Sequence, residues 1–236
     1  MRNILLLGAM AVGLAAPAFA QAAADPGYTI TGNIALATDY TFRGVSQTDE
    51  SPAVQGGLDL TVGNFYAGTW ASNINFGTGG ANLELDVYGG YKFALDKLTL
   101  DVGAIGYLYP SASDDAAELD YWEFYVKPSY AVTDKFTIGG QVAYSPEFTG
   151  KSGDGLYGEV NGAYAITPAF SVSGAVGYQK VDQAGFFAGK DNYTTWNVGG
   201  TYTWSGLGFD LRYVGTNVDN APIYDDRVIF SIKKAL

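Results

Sequence analysis

Apolar and polar residues alternate along most of the chain, in some twelve segments of about ten residues each. The alternation is clearest in residues 28–43. There Tyr28, Ile30, Ile34, Leu36, Tyr40 and Phe42 fall on one face of an extended strand, and Thr29, Thr31, Asn33, Asp39, Thr41 and Arg43 on the other. A helix would scatter the same residues around its circumference. The pattern predicts strands over 28–43, 53–62, 65–76, 82–93, 98–109, 119–130, 135–144, 155–166, 170–179, 192–204, 207–214 and 227–236. No linker, composition break or low-complexity tract interrupts them, so residues 21–236 read as one domain.

The connections alternate as well. Gly63-Asn64, Leu95-Asp96-Lys97, Thr133-Asp134, Thr167-Pro168 and Ser205-Gly206 are tight turns. Those between them, 44–52, 110–118, 145–154, 180–191 and 216–226, are longer and more acidic, with the short 77–81 as the exception. Short turns on one side and long loops on the other are the habit of outer-membrane barrels, whose backbone groups all pair around a closed sheet while one face meets lipid. The fold class expected is therefore all-β: a transmembrane antiparallel up-and-down barrel of about twelve strands. An even strand number puts both termini on the periplasmic side.

Aromatic residues agree with this layout. Tyr40, Phe42, Phe76, Trp122, Tyr144, Tyr178, Trp196 and Tyr213 fall near the outer rim, and Phe65, Tyr91, Phe93, Tyr130, Phe136, Tyr164, Phe170, Trp204 and Phe209 near the inner one. Amphipathic rings are best placed where hydrocarbon meets water. A soluble two-sheet sandwich would put them mid-strand instead. Tyr28, Ile30, Ile34, Leu36, Leu58, Leu60, Val87, Leu100, Val102, Phe124, Val172, Val198, Leu211 and Phe230 are expected to face lipid.

Composition narrows the class. Arg2, an apolar run over 4–16 and the small-x-small site Ala18-Phe19-Ala20 form a secretory signal, residues 1–20, with cleavage before Gln21. No later run of eighteen apolar residues could form a spanning helix, yet 47% of residues are hydrophobic and 15% aromatic. Many of the 32 glycines lie inside the alternating segments, where small residues ease curvature and close packing. With no cysteine, a lipid-anchored N-terminus, a disulfide scaffold and a thiolate metal site are excluded. The formal charge is −11. Loss of Arg2 reduces the 13 basic residues by one against 24 acidic, giving −12, so nucleic acid is not an expected partner.

Histidine is also absent, which removes Ser-His-Asp and Asp-His chemistry and any His-ligated metal. No phosphate-binding Gly-Lys-Ser/Thr loop or dinucleotide fingerprint is present. No catalytic residue, metal or cofactor is expected, and the protein reads as non-enzymatic. The charges opposite the apolar stripes are the candidate pore-lining residues: Asp39, Arg43, Asp59, Glu84, Asp86, Lys92, Asp101, Glu123, Lys127, Glu159, Asp210, Arg212 and Arg227. Facing hydrocarbon, a Lys or Arg would cost roughly 2–4 kcal/mol near the midplane, so these side chains must look inward.

The same residues serve either a polar conduit or an ion-pair network that plugs the lumen. About eight strands are filled by their own side chains and about sixteen to eighteen leave a channel, so twelve lies between. Small residues expected to face inward, Ala35, Ala37, Gly103, Thr137, Gly139, Ala143, Ala163, Ala165, Ser171, Ser173 and Ala175, favour free space. Glu84 and Asp86, two apart, point the same way, as do Asp39 and Arg43, four apart. A field of one sign meeting scattered cations suits ion selectivity better than acid-base catalysis. The acids Asp114, Asp115, Glu118, Asp154, Asp219, Asp225 and Asp226 lack the spacing of a calcium loop.

The stretch Asp39-Tyr40-Thr41-Phe42-Arg43-Gly44-Val45-Ser46-Gln47-Thr48, followed by Pro52-Ala53-Val54-Gln55-Gly56-Gly57 and Tyr66-Ala67-Gly68-Thr69-Trp70-Ala71-Ser72-Asn73, resembles the TorF-type porins, the Gcw_chp-type bacterial outer-membrane proteins. Glu84-Leu85-Asp86-Val87-Tyr88-Gly89-Gly90-Tyr91 and the closing Asp226-Arg227-Val228-Ile229-Phe230-Ser231-Ile232 are similar too, so the resemblance spans the mature chain. It implies an outer-membrane porin of undefined solute. Its partners would be membrane lipid and lipopolysaccharide, the barrel-assembly machinery, and small hydrophilic solutes or ions, with cations preferred on the acidic balance. The alternative is a closed structural or adhesive barrel with functional loops. Such barrels usually end in an aromatic residue read during assembly, whereas this chain ends in Leu236. Leu236→Phe is expected to leave assembly unchanged or improve it, judged by the yield of heat-modifiable barrel in outer-membrane fractions.

Overall fold

The computed structural model describes residues 9–10, 13–14, 27–77, 80–110, 112 and 118–236. The signal segment, apart from a short pairing of Ala9–Met10 with Gly13–Leu14, lies outside the described residues, as do Asp114 and Asp115. The first six barrel strands are β1 (Thr29–Ala37), β2 (Ala53–Val62), β3 (Phe65–Asn73), β4 (Leu83–Leu95), β5 (Leu98–Leu108) and β6 (Tyr121–Ala131). The remaining six are β7 (Phe136–Ser145), β8 (Gly155–Thr167), β9 (Phe170–Val181), β10 (Asn192–Trp204), β11 (Leu207–Thr216) and β12 (Arg227–Ala235). Each pairs antiparallel with its sequence neighbour, and β12 pairs with β1 through Ser231↔Ala37 to Ala235↔Asn33, closing a twelve-stranded barrel. The Gly32 and Leu236 backbones continue that seam, with Leu236 N–H donating to Gly32 O at 2.8 Å.

Local chemistry sets the ends of the strands. Trp204↔Leu207 encloses Ser205-Gly206, whose φ angles of 52° and 75° give the mirror-image turn that matches strand twist. The turns at Gly63-Asn64 and Asp96-Lys97 are similarly short. In β6 the ladder to β7 runs Val126↔Val142 and then Ser129↔Gly139, skipping Lys127 and Pro128. Proline has no N–H to give that neighbour.

The residues expected to face lipid do not form a core: Ile30, Leu36, Leu58, Phe124, Val198, Leu211 and Phe230 are exposed, and Val87, Leu100 and Val172 are partly so. Buried apolar residues gather instead at the long-loop end, where Tyr107, Tyr109, Tyr121 and Tyr193 meet Phe148, Phe187, Val218 and Tyr224 from the loops. The 28–43 expectation is corrected at its second half. The strand ends at Ala37, and residues 38–52 turn into the barrel, carrying Tyr40 and Phe42 away from the outer rim. The alternation continues through this segment because it forms a second, smaller hairpin, Thr41–Phe42 with Val45–Ser46.

Val160 lies mid-strand on the outer face at 72% exposure, and Ala163 lies on the opposite face of the same strand. Val160→Arg should weaken the barrel in lipid vesicles by about 2–4 kcal/mol, while Ala163→Arg should change it far less. Urea unfolding of vesicle-inserted protein measures both.

Candidate functional site

The site is the inside of the barrel at its long-loop end, where residues 38–52 fold inward. Asp39 organises their base. Its Oδ1 accepts hydrogen bonds from Ser46 Oγ and Thr48 Oγ1, both at 2.7 Å, and its Oδ2 accepts from Arg227 Nη1 of β12 at 2.8 Å. At the tip, Arg43 and Gly44 have φ of 50° and 86°, forming the two-residue turn between Phe42 and Val45. A side chain on Gly44 would collide with Thr195 and Thr216, so the tip abuts β10 and β11. Left-handed backbone is unfavourable for arginine by about 1 kcal/mol or more, and the contacts of its side chain offset that cost.

Those contacts are extensive. Arg43 donates from Nη1 to Glu123 Oε1 at 2.8 Å and from Nη2 to Glu123 Oε2 at 2.6 Å, a bidentate pair. Nη1 also donates to Gln179 Oε1 at 2.6 Å, and the guanidinium lies 4.1 Å from the Tyr157 ring centroid. Burial pulls Arg43 towards its neutral form, but the Glu123 carboxylate outweighs this and holds it above its ordinary pKa, so it stays charged. Nearby, Tyr40 and Tyr109 donate to the two oxygens of Glu84 at 2.6 and 2.8 Å, and Tyr40 packs edge-on against Trp70. The segment thus reaches β4, β6, β9, β10, β11 and β12.

Towards the tight-turn end the wall is polar and more open. Tyr88 donates to Asp59 at 2.7 Å, Tyr66 to Asp101 at 2.5 Å, and Tyr157 to Glu159 at 2.7 Å. Tyr66 and Tyr125 hydroxyls lie 2.6 Å apart. Close approach across the wall requires glycine opposite these rings: a Cβ on Gly90 would lie 2.5 Å from the Tyr66 hydroxyl, and one on Gly103 2.5 Å from that of Tyr125. Lys92 and Lys127 lie over the rings of Tyr66 and Tyr125, at 5.0 and 4.0 Å from the centroids. On the far wall Arg212 is held by Asp210, Asn197 and Ser173. Between it and the Arg43 tip is a cavity of about 30 Å³, above the roughly 10–15 Å³ that one water needs.

The structure brings the sequence candidates together in pairs other than those their spacing suggested. Asp39 and Arg43 are not strand-wall residues and do not pair with each other; Asp39 binds Arg227 and Arg43 binds Glu123. Glu84 and Asp86 share a face of β4, as expected. Asp86 is 7% exposed, and its Oδ1 has no hydrogen-bond partner. Asp101 stands between Lys92 and Lys127 in the β4–β5–β6 register, yet takes its bond from Tyr66. Sequence reasoning missed the inward tyrosines, Tyr40, Tyr66, Tyr88, Tyr107, Tyr125 and Tyr157, and Gln179. The available signal was parity: Tyr88 follows Asp86 by two, Tyr125 lies between Glu123 and Lys127 on the same face, and Tyr157 precedes Glu159 by two.

Residues 21–236 match the family described as "Bacterial protein of unknown function (Gcw_chp)". The chain belongs to the Gcw_chp family. No curated protein matches it. Among solved structures, the Gcw_chp chain is similar to the KdgM porin in complex with disordered oligogalacturonate, with TM-score 0.59 and 11% identity over 87% of this chain and 97% of that one. It is also similar to the NanC porin, with TM-score 0.58 and 13% identity over 86% and 98%. At such identities the likeness is one of fold: a closed twelve-stranded antiparallel barrel.

Tyr66→Phe removes the donor to Asp101 and the contact with the Tyr125 hydroxyl without changing the ring. It should destabilise the folded barrel by about 1–3 kcal/mol, read as an earlier midpoint in denaturant titration of the detergent-solubilised protein.

Proposed function

We propose that this protein is an outer-membrane channel for passive diffusion of small hydrophilic solutes or ions, exported by its N-terminal signal and carrying no enzymatic activity. The observation that carries the reading is the closed barrel with two opposite faces: an outer surface of exposed Ile, Leu, Val and aromatic side chains and an inner surface on which Asp59, Asp101, Lys127, Glu159, Asp210 and Arg212 are held by hydrogen bonds and ring contacts. Only a bilayer rewards that inversion. The porin fold of KdgM and NanC supports it. In this reading the tight turns and both termini are periplasmic and the long loops meet lipopolysaccharide outside. The barrel-assembly machinery is then a partner during insertion.

Cations are favoured over anions. The chain carries 24 acidic residues against 13 basic ones, and many of the acids are inward or loop-borne, an excess that attracts cations to the lumen. A second reading, a closed structural or adhesive barrel, draws on the inward segment and the cavity of only about 30 Å³.

Single-channel recording of purified protein in a planar bilayer under a salt gradient separates the two. Conductance with a cation-selective reversal potential is expected, and none above background would favour the closed barrel. Asp59→Asn replaces a half-buried inward carboxyl group with its neutral isostere. It should shift the reversal potential towards zero at low salt, and an unchanged potential would show that Asp59 does not meet the ion.

A further inference from the structure

Residues 38–52 fill one end of a barrel that is complete without them. Ala37 and Ala53, at either side of the segment, are direct cross-strand partners in β1 and β2. The chain therefore leaves the wall and returns to it at a single rung; Thr38 N–H still donates to Phe230 O of β12 at 2.9 Å, and moving the residues after it breaks no pair of the barrel ladder. They hold the wall by polar contacts, Asp39 to Arg227, Tyr40 to Glu84, and Arg43 to Glu123 and Gln179, and by edge-on ring contacts of Tyr40 with Trp70 and Phe42 with Tyr107. The seating is also incomplete, because Thr41 Oγ1 and Arg43 Nε are buried without a hydrogen-bond partner, and both residues line the small cavity. The cavity has room for a water, so the wall leaves space beside both residues.

We propose that residues 38–52 are a displaceable gate, held shut chiefly by the Arg43–Glu123 pair; this rests on the channel reading. The pair is the decisive latch because it is the only bidentate ion pair the segment makes among the described residues, and both partners are almost fully buried. Removing Arg43 would leave the Glu123 carboxylate buried with no counter-charge beside it, a state relieved when water enters the lumen. The barrel ladder resists unfolding, so the segment is what gives way.

The test reads displacement and conduction separately. Thr41 is 1% exposed, so Thr41→Cys, the sole cysteine in the chain, should react with a membrane-impermeant maleimide near background. Adding Arg43→Met, or Glu123→Gln should Arg43→Met prevent folding, should raise the labelling rate at least tenfold and the mean conductance several-fold. In the native background, Gln47→Cys with Asn75→Cys would lock the segment to the connection between β3 and β4, since Asn75 N–H donates to Gln47 O at 2.8 Å. The oxidised protein should conduct less than the reduced one. Unchanged labelling and conductance in a folded, heat-modifiable Arg43→Met or Glu123→Gln barrel would overturn the gate, as would equal conductance of the locked and reduced forms. Faster labelling with no conductance in any form would confirm that the segment moves and overturn the channel reading instead.

Discussion

Pairing of the last strand with the first governs the rest of this molecule. A sheet with two free edges exposes a row of unpaired N–H and C=O groups, tolerable in water but costly at several kcal/mol per group in hydrocarbon. The rungs between β12 and β1, extended by the Gly32 and Leu236 backbones, remove both edges at once. Closure also fixes which side of each strand is inside. Once that is set, every second residue along about ten positions must be compatible with lipid and the rest with a narrow polar interior, and the whole alternation of the sequence follows.

The interior then has its own problem: how to accommodate charge on a wall of closely packed side chains. The solution here is tyrosine. Asp59, Glu84, Asp101 and Glu159 each accept a phenolic hydrogen bond, so a neutral neighbour supplies the polar partner that burial would otherwise deny them. The rings do further service, since Lys92, Lys127 and Arg43 lie over aromatic faces, where the ring quadrupole favours a cation. Phenol groups thus solvate both signs of charge, with glycine across the strand providing room for the ring. Asp86 stands outside this scheme, and so does the inward segment, whose strongest tie is an ion pair.

The barrel architecture was legible in the sequence because its signal is local. Strand β2 and strand β10 begin and end where alternation and turn residues predict, at Ala53–Val62 and Asn192–Trp204. Long-range pairing adds nothing to that decision: a strand in a closed sheet sees lipid on one side and lumen on the other whatever its neighbours are. The inward direction of Glu84, Glu123, Glu159 and Arg212 was legible for the same reason.

Which inward residues meet was not legible, because contact across a barrel depends on strand number, register and curvature together. Arg43 and Glu123 are eighty positions apart, and Arg43 and Gln179 one hundred and thirty-six; no spacing rule links them. Period-two alternation through residues 38–48 was equally consistent with a longer wall strand and with a small hairpin folded inside. The sequence by itself determined an alternating, two-faced chain that closes into a barrel, since each residue's preference for lipid or water is its own property. Only the tertiary structure decided that the chain leaves the wall at Ala37, that tyrosines hydrogen-bond the inward acids, and that Arg43 reaches Glu123, because these depend on the distance between walls that closure alone creates.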